Sequence, residues 1–168
     1  MMDTAYIEAK KVKAKALFES GLNCCQAVFG AFAEDFGMDL DTALRLSASF
    51  GGGFGRLREV CGAVSGMALT LGLFSGSSDP SDKAGKMENY AHVQAVCEDF
   101  RQMNGSIICR ELLALSEHPE AAKDVAPANV SERTPQFYKK RPCSELVYEA
   151  AGIVAAKMEE LKDASVHG

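Results

Sequence analysis

Apolar residues recur every three or four positions along almost the whole chain, and no stretch alternates apolar and polar residues for long enough to make a half-buried strand. Val60, Val64, Met67, Leu71 and Phe74 show the pattern most clearly, with steps that alternate between four and three. Such a period builds helices, so the expected fold class is all-α, a single-domain bundle of about six to seven helices. At 168 residues with only five prolines the chain has room for one core, and a chain of this length buries roughly 70% of its unfolded surface without disulfide staples.

Stop and start signals divide the pattern. A first helix is expected from about Thr4 to Ser20, with Ile7, Ala14, Leu17 and Phe18 inward and its lysines on a solvated face. Asn23 caps a second helix that places Val28, Phe29, Phe32 and Phe36 inward until Gly37. Asp39 or Asp41 opens a third, which leads into the glycine run Phe50-Gly51-Gly52-Gly53-Phe54-Gly55-Arg56. A fourth follows, with a small-residue face of Gly62, Ser65, Gly66 and Gly72 suited to close approach of another backbone. A fifth is expected to carry Met87, Tyr90, Val93, Cys97, Phe100 and Met103 as one continuous inward stripe. Ser106 caps a sixth. Residues 116–142 hold four prolines and no periodic face, which reads as a long irregular connection with room for a short helical turn. A last helix starts near Cys143 and gives way to a polar tail at 163–168.

The six cysteines are Cys24, Cys25, Cys61, Cys97, Cys109 and Cys143. The segment Met1 to Tyr6 lacks the basic, apolar and small-residue parts of a secretory signal, so the expected location is cytoplasmic. No apolar run approaches the roughly 18 residues of a membrane helix, and no membrane association is expected. In a reducing compartment cysteines serve as packed residues, metal ligands or redox groups more often than as permanent staples. Cys97 falls mid-helix in an apolar stripe and reads as a small hydrophobe. Cys24, Cys61, Cys109 and Cys143 all open helices, where unpaired backbone N–H groups and the helix dipole favour a thiolate. Cations stand nearby: Arg56 and Arg58 before Cys61, Arg110 after Cys109, and Lys139, Lys140 and Arg141 before Cys143. The plain alternative is four small buried residues at helix boundaries. No C-x-x-C pair occurs, so any shared site has to be assembled by tertiary structure.

The segment Gly21-Leu22-Asn23-Cys24, the glycine run, Cys61-Gly62-Ala63-Val64-Ser65-Gly66, Asn104 to Leu112 and the late Cys143 together resemble the C_GCAxxG_C_C family, small bacterial and archaeal proteins described as redox-active. The resemblance places the family's four characteristic cysteines on Cys24, Cys61, Cys109 and Cys143. It implies a redox function, and through a related domain in split-Soret cytochromes it brings in an iron–sulfur centre; the absence of C-x-x-C-H removes the haem part.

The glycine run departs from G-x-G-x-x-G at Arg56 and lacks a P-loop lysine, which argues against nucleotide binding. Gly52, Gly53 and Arg56 are instead expected to bring backbone amides and a cation to the sulfurs, for a sulfur or a small anion. His92, His118 and His167 form no spaced ligand set, although His92 is a candidate ligand. Glu34-Asp35, Glu98-Asp99 and Glu159-Glu160 read as solvated carboxylates. With 18 Lys+Arg against 23 Asp+Glu, a formal net charge of −5, the chain lacks the basic surface that binding to DNA or RNA requires. The expected function is a redox-active protein with a four-cysteine thiol/disulfide site, Cys61 or Cys143 attacking, served by a partner oxidoreductase. A second reading has the same four cysteines ligate zinc or an iron–sulfur cluster in electron transfer. A third is a structural or partner-binding helical domain without a cofactor.

Overall fold

The computed structural model describes residues 2–115 and 132–167. Among them are eight α-helices: α1 (Thr4–Glu19), α2 (Cys24–Ala31), α3 (Leu40–Ser47), α4 (Gly62–Ser75), α5 (Lys83–Asn104), α6 (Cys109–Ala114), α7 (Pro135–Lys140) and α8 (Cys143–His167). There is no strand among the described residues, and one isolated antiparallel bridge pairs Val60 with Ile108. The fold is all-α, as the periodicity predicts. α7 is the helical turn for which the Pro-rich connection has room, started by Thr134 as cap and Pro135 as first helical residue. Residues 116–131 of that connection, with His118, Pro119 and Pro127, lie outside the described residues. The polar tail from 163 onward continues as helix through His167.

α2, α4 and α8 meet at the centre, with α1 along α8 and α2, and α5 against α4 and α8. Their shared core contains Val28, Phe32, Val64, Met67, Leu71, Val147 and Val154, each at most 2% exposed. Gly62 and Gly66 are what let α4 approach α2: a Cβ on Gly62 would lie 3.1 Å from Cys24 Cβ, and one on Gly66 would lie 2.7 Å from Val28 Cβ. Gly72, expected on the same close face, has no atom within 4 Å of such a Cβ and belongs to the outer side.

Three further expectations need correction. Lys10 is buried, because its ammonium donates to Ala31 O at 3.1 Å and pairs with Asp35 at 2.8 Å and Glu34 at 3.3 Å, which ties α1 to the end of α2. Glu34 and Asp35 are therefore ion-pair partners rather than a bare solvated pair. The inward face of α5 is rotated from the expected stripe: Val96 and Phe100 are fully buried, while Met87, Tyr90 and Met103 are exposed. Polar anchors account for the rotation, since Asn89 donates to Leu71 O and Ser75 Oγ and His92 Nδ1 lies 3.3 Å from Ser75 Oγ. Ser106 is not the residue before α6; Ile108 occupies that place, and Ser106 Oγ accepts from the Ile108 amide while bonding Glu111.

Candidate functional site

Each of the four family-pattern cysteines sits at a helix start. Cys24, Cys109 and Cys143 are the first residues of α2, α6 and α8, and Cys61 is the cap residue of α4. Cys24 is placed by a complete capping box: Asn23 Oδ1 accepts from Gln26 N at 2.9 Å and Gln26 Oε1 accepts from Asn23 N at 3.1 Å. Asn23 Nδ2 also donates to Ala48 O at 2.9 Å, so the same residue anchors the start of the glycine run.

The run itself has an unusual backbone. Gly52, Gly53, Phe54, Gly55 and Arg56 all have positive φ, between 60° and 72°, and so does Arg58 at 60°. For the three non-glycine residues this conformation costs roughly 1–2 kcal/mol each. Gly53 needs both its positive φ and its bare Cα, because a Cβ there would lie 2.6 Å from Cys109 Cβ. The chain leaving the run then pairs with the segment before α6: Cys61 N donates to Ile107 O at 2.8 Å, Cys109 N to Glu59 O at 2.6 Å and Arg110 N to Arg58 O at 3.2 Å. These bonds bring Cys61 and Cys109 together across a long stretch of sequence.

Cys24, Cys61, Cys109 and Cys143 line one cavity of about 440 Å³, together with Gly52, Gly53 and Arg56. The residues expected from sequence to carry chemistry thus share one wall. Arg58, Arg133 and Arg141 join them. Cys25 is buried on α2 and Cys97 is half-buried on α5, neither on the cavity. Arg110 turns to Glu59 instead, and Lys139 is exposed. His92 stays on the α4–α5 seam.

Sequence pattern does not single out Arg133, which lies in the connection without periodicity; the Thr134-Pro135 helix start beside it is the one local signal that points there. Its guanidinium is stacked between Phe18 and Phe137, 4.8 and 4.6 Å from the ring centres, and Nη2 donates to Leu22 O at 3.2 Å. Arg141 lies 4.7 Å from the Phe137 ring. α7 therefore holds two cations at the mouth of α8.

The thiols differ in charge. The thiols of Cys24 and Cys143 interact, and that interaction holds Cys143 below the usual thiol range, helped by Arg141, Arg133 and Arg58. The same interaction, with burial, pushes Cys24 well up. Cys61 is pushed up to about 12 by burial, against the opposing amides of Ala63 and Val64. Burial also raises Cys109, with Arg58 opposing it. A helix start favours the thiolate, but at Cys61 and Cys109 loss of solvent is the larger effect, and at Cys24 the interaction with Cys143 is. Among the described residues no three Cys, His, Asp or Glu side chains are spaced to share one metal ion.

No helix among the described residues is long and apolar enough to cross a membrane. No curated protein and no solved structure matches the chain. A family model described as "Putative redox-active protein (C_GCAxxG_C_C)" matches residues 22–157. That match starts before Cys24 and ends beyond Cys143, spanning every sulfur of the cavity, and the chain belongs to the C_GCAxxG_C_C family.

Proposed function

We propose that the protein is a thiol/disulfide redox protein in which Cys143 attacks and Cys24 resolves. The observation that carries this reading is that Cys24 and Cys143 line the same cavity and act on each other's ionisation, with Cys143 the member held toward the thiolate. A thiolate is the attacking form in exchange, and a neighbouring thiol is what closes the intramolecular disulfide. The Cys143 thiolate forms a bond to one sulfur of a substrate disulfide, whose other half leaves as a thiolate and takes a proton from solvent. Cys24 then loses its proton and attacks Cys143 Sγ, releasing the second half, which takes up a proton. Two electrons pass from the cysteine pair to the substrate, and a dithiol donor returns them. Cys61 is a poor attacker, being 4% exposed with its thiol pushed up to about 12.

Thiol counting on the native protein before and after a mild oxidant tests the reading. Two of the six thiols should be lost together, return with dithiothreitol, and fail to be lost in Cys143→Ser. Six unchanged thiols, with no reduction of a disulfide reporter, would overturn it. Metal analysis and a visible spectrum of anaerobically purified protein form the second arm. A colourless, metal-free folded protein agrees with the proposal; stoichiometric iron or zinc on these cysteines contradicts it.

A further inference from the structure

The chain that carries Cys143 docks on one corner of the fold, the last turn of α1 and the loop that leads from it to Cys24. Arg133 Nη2 donates to Leu22 O at 3.2 Å, the Tyr138 ring meets Phe18 edge-on at 5.8 Å, and Lys15 pairs with Glu145. Glu19 lies within this seam and is used twice. Its carbonyl accepts from Tyr138 Oη at 3.2 Å, and its carboxylate oxygen Oε1 accepts from Ser144 Oγ at 2.9 Å. Ser144 is only 9% exposed, and a buried hydroxyl requires a partner, which Glu19 supplies. One residue thus grips the chain on both sides of Cys143, and it stands shortly before Cys24 in the sequence.

We propose that Glu19 is a positioning residue of the redox pair, setting the approach of Cys24 to Cys143 through Ser144 and Tyr138. The inference rests on the thiol/disulfide reading and adds a residue outside the cavity wall. Glu19 acts through the two groups it holds. Attack of Cys143 on an incoming disulfide needs only that Cys143 be reachable. Attack of Cys24 on Cys143 Sγ needs two helix starts held against each other, and such a step slows steeply when the reacting atoms are slightly misplaced. Asn23 fixes the start of α2, and Glu19 fixes the start of α8.

The reporter disulfide dithiobis(nitrobenzoate) separates the two steps, in a Cys97→Ser background that removes the half-buried thiol outside the cavity. Attack of the Cys143 thiolate forms a mixed disulfide and releases one coloured thiolate, at a rate proportional to the reagent. Cys24 then loses its proton and attacks Cys143 Sγ, which closes the Cys24–Cys143 disulfide and releases the second coloured thiolate at a rate independent of the reagent. Glu19→Ala should slow the second release by about tenfold and leave the first within about twofold. Ser144→Ala should do the same, and the double variant should be no slower than either single one, since all three lack the same bond. Glu19→Gln keeps an acceptor oxygen for Ser144 and should recover most of the second rate.

A second release that stays within about twofold of the parent in the alanine variants overturns the inference, either variant sufficing should the other not fold. Equal slowing of both releases also overturns it, as the mark of a general loosening. So does a loss in Glu19→Gln as large as in Glu19→Ala, because charge rather than the hydrogen bond would then be at work. Failure of the exchange reading looks different: the reagent-independent release is missing from the Cys97→Ser protein itself, or it survives Cys24→Ser. Either result overturns the redox pair and the role of Glu19 together.

Discussion

Arg58 Nη1 lies 3.8 Å from Cys109 Sγ, inside the fold, while the Arg58 carbonyl accepts hydrogen bonds from both the backbone amide and the side-chain Nε of Arg110. One residue with φ of 60° thus holds the glycine run to the start of α6 and carries a positive charge toward the sulfurs. Its charge opposes the burial that raises Cys109 and helps to lower Cys143. Replacing it by Met keeps a long side chain and removes the charge. Arg58→Met should therefore slow iodoacetamide labelling of Cys143 at neutral pH by about three- to tenfold, since an opposite charge nearby shifts a pKa by about a unit. Quantitative mass spectrometry of the labelled peptide checks it, with circular dichroism as the control for folding.

Labelling should also follow an order set by ionisation and burial. Cys143 is below the usual thiol range, whereas Cys25 and Cys61 are pushed up to about 12 and are almost without exposure. Only the thiolate reacts, so labelling of Cys143 should persist below the pH at which a free cysteine stops reacting, and then fall about tenfold per unit as pH drops through the lowered pKa. Cys24→Ala removes the interaction between the two thiols and should move that midpoint upward. Cys25 and Cys61 should stay unlabelled until the protein is denatured. A pH series with peptide-level quantification reads all of these at once.

The two kinds of glycine in α4 predict opposite effects on stability. A methyl group at Gly66 would press on Val28 Cβ at 2.7 Å, in the fully buried α2–α4 contact. Gly66→Ala should cost about 1–3 kcal/mol by overpacking. At Gly72 nothing stands within 4 Å, and the gain in helix propensity is the only term. Gly72→Ala should stabilise by about 0.5–1 kcal/mol. Urea unfolding midpoints at unchanged slope measure both.

Much of the candidate site is legible in the sequence because local rules govern it. Asn23 as cap, and the glycine run with the apolar steps of α4, put Cys24 and Cys61 at helix starts, whereas Cys109 opens α6 after Ile108 rather than from the expected Ser106 cap. Their meeting is not legible, because it depends on long-range pairing: residues 58–61 bond to 107–110, and Arg133 reaches Leu22 O from the far side of the connection. The rotation of α5 is hidden for another reason. Asn89 and His92 occupy its inward face by hydrogen-bonding the end of α4, so hydrophobicity alone picks the wrong stripe. Burial of Lys10 is hidden similarly, since an ammonium can be buried there only through the distant carboxylates of Glu34 and Asp35.

The Asn23 side chain caps α2 and holds Ala48 O, while its backbone N–H closes the capping box by donating to Gln26 Oε1. Asn23→Ala should cost about 1–2 kcal/mol, at the upper end for a cap. The added loss of the Ala48 bond should loosen the entry to the glycine run. Amide hydrogen exchange should therefore speed up at Gln26 and in residues 50–56, while α8 keeps its protection.

Which two sulfurs bond to each other is the most direct question to put to the protein. Mild oxidation of the native chain, alkylation of the remaining thiols and non-reducing peptide mapping answer it. A Cys24–Cys143 peptide should dominate, with Cys25, Cys61, Cys97 and Cys109 recovered as alkylated thiols, and dithiothreitol should restore both cysteines. A dominant pair that excludes Cys143, or six cysteines that all remain thiols under oxidant, would contradict the assignment of Cys143 and Cys24 as the redox pair.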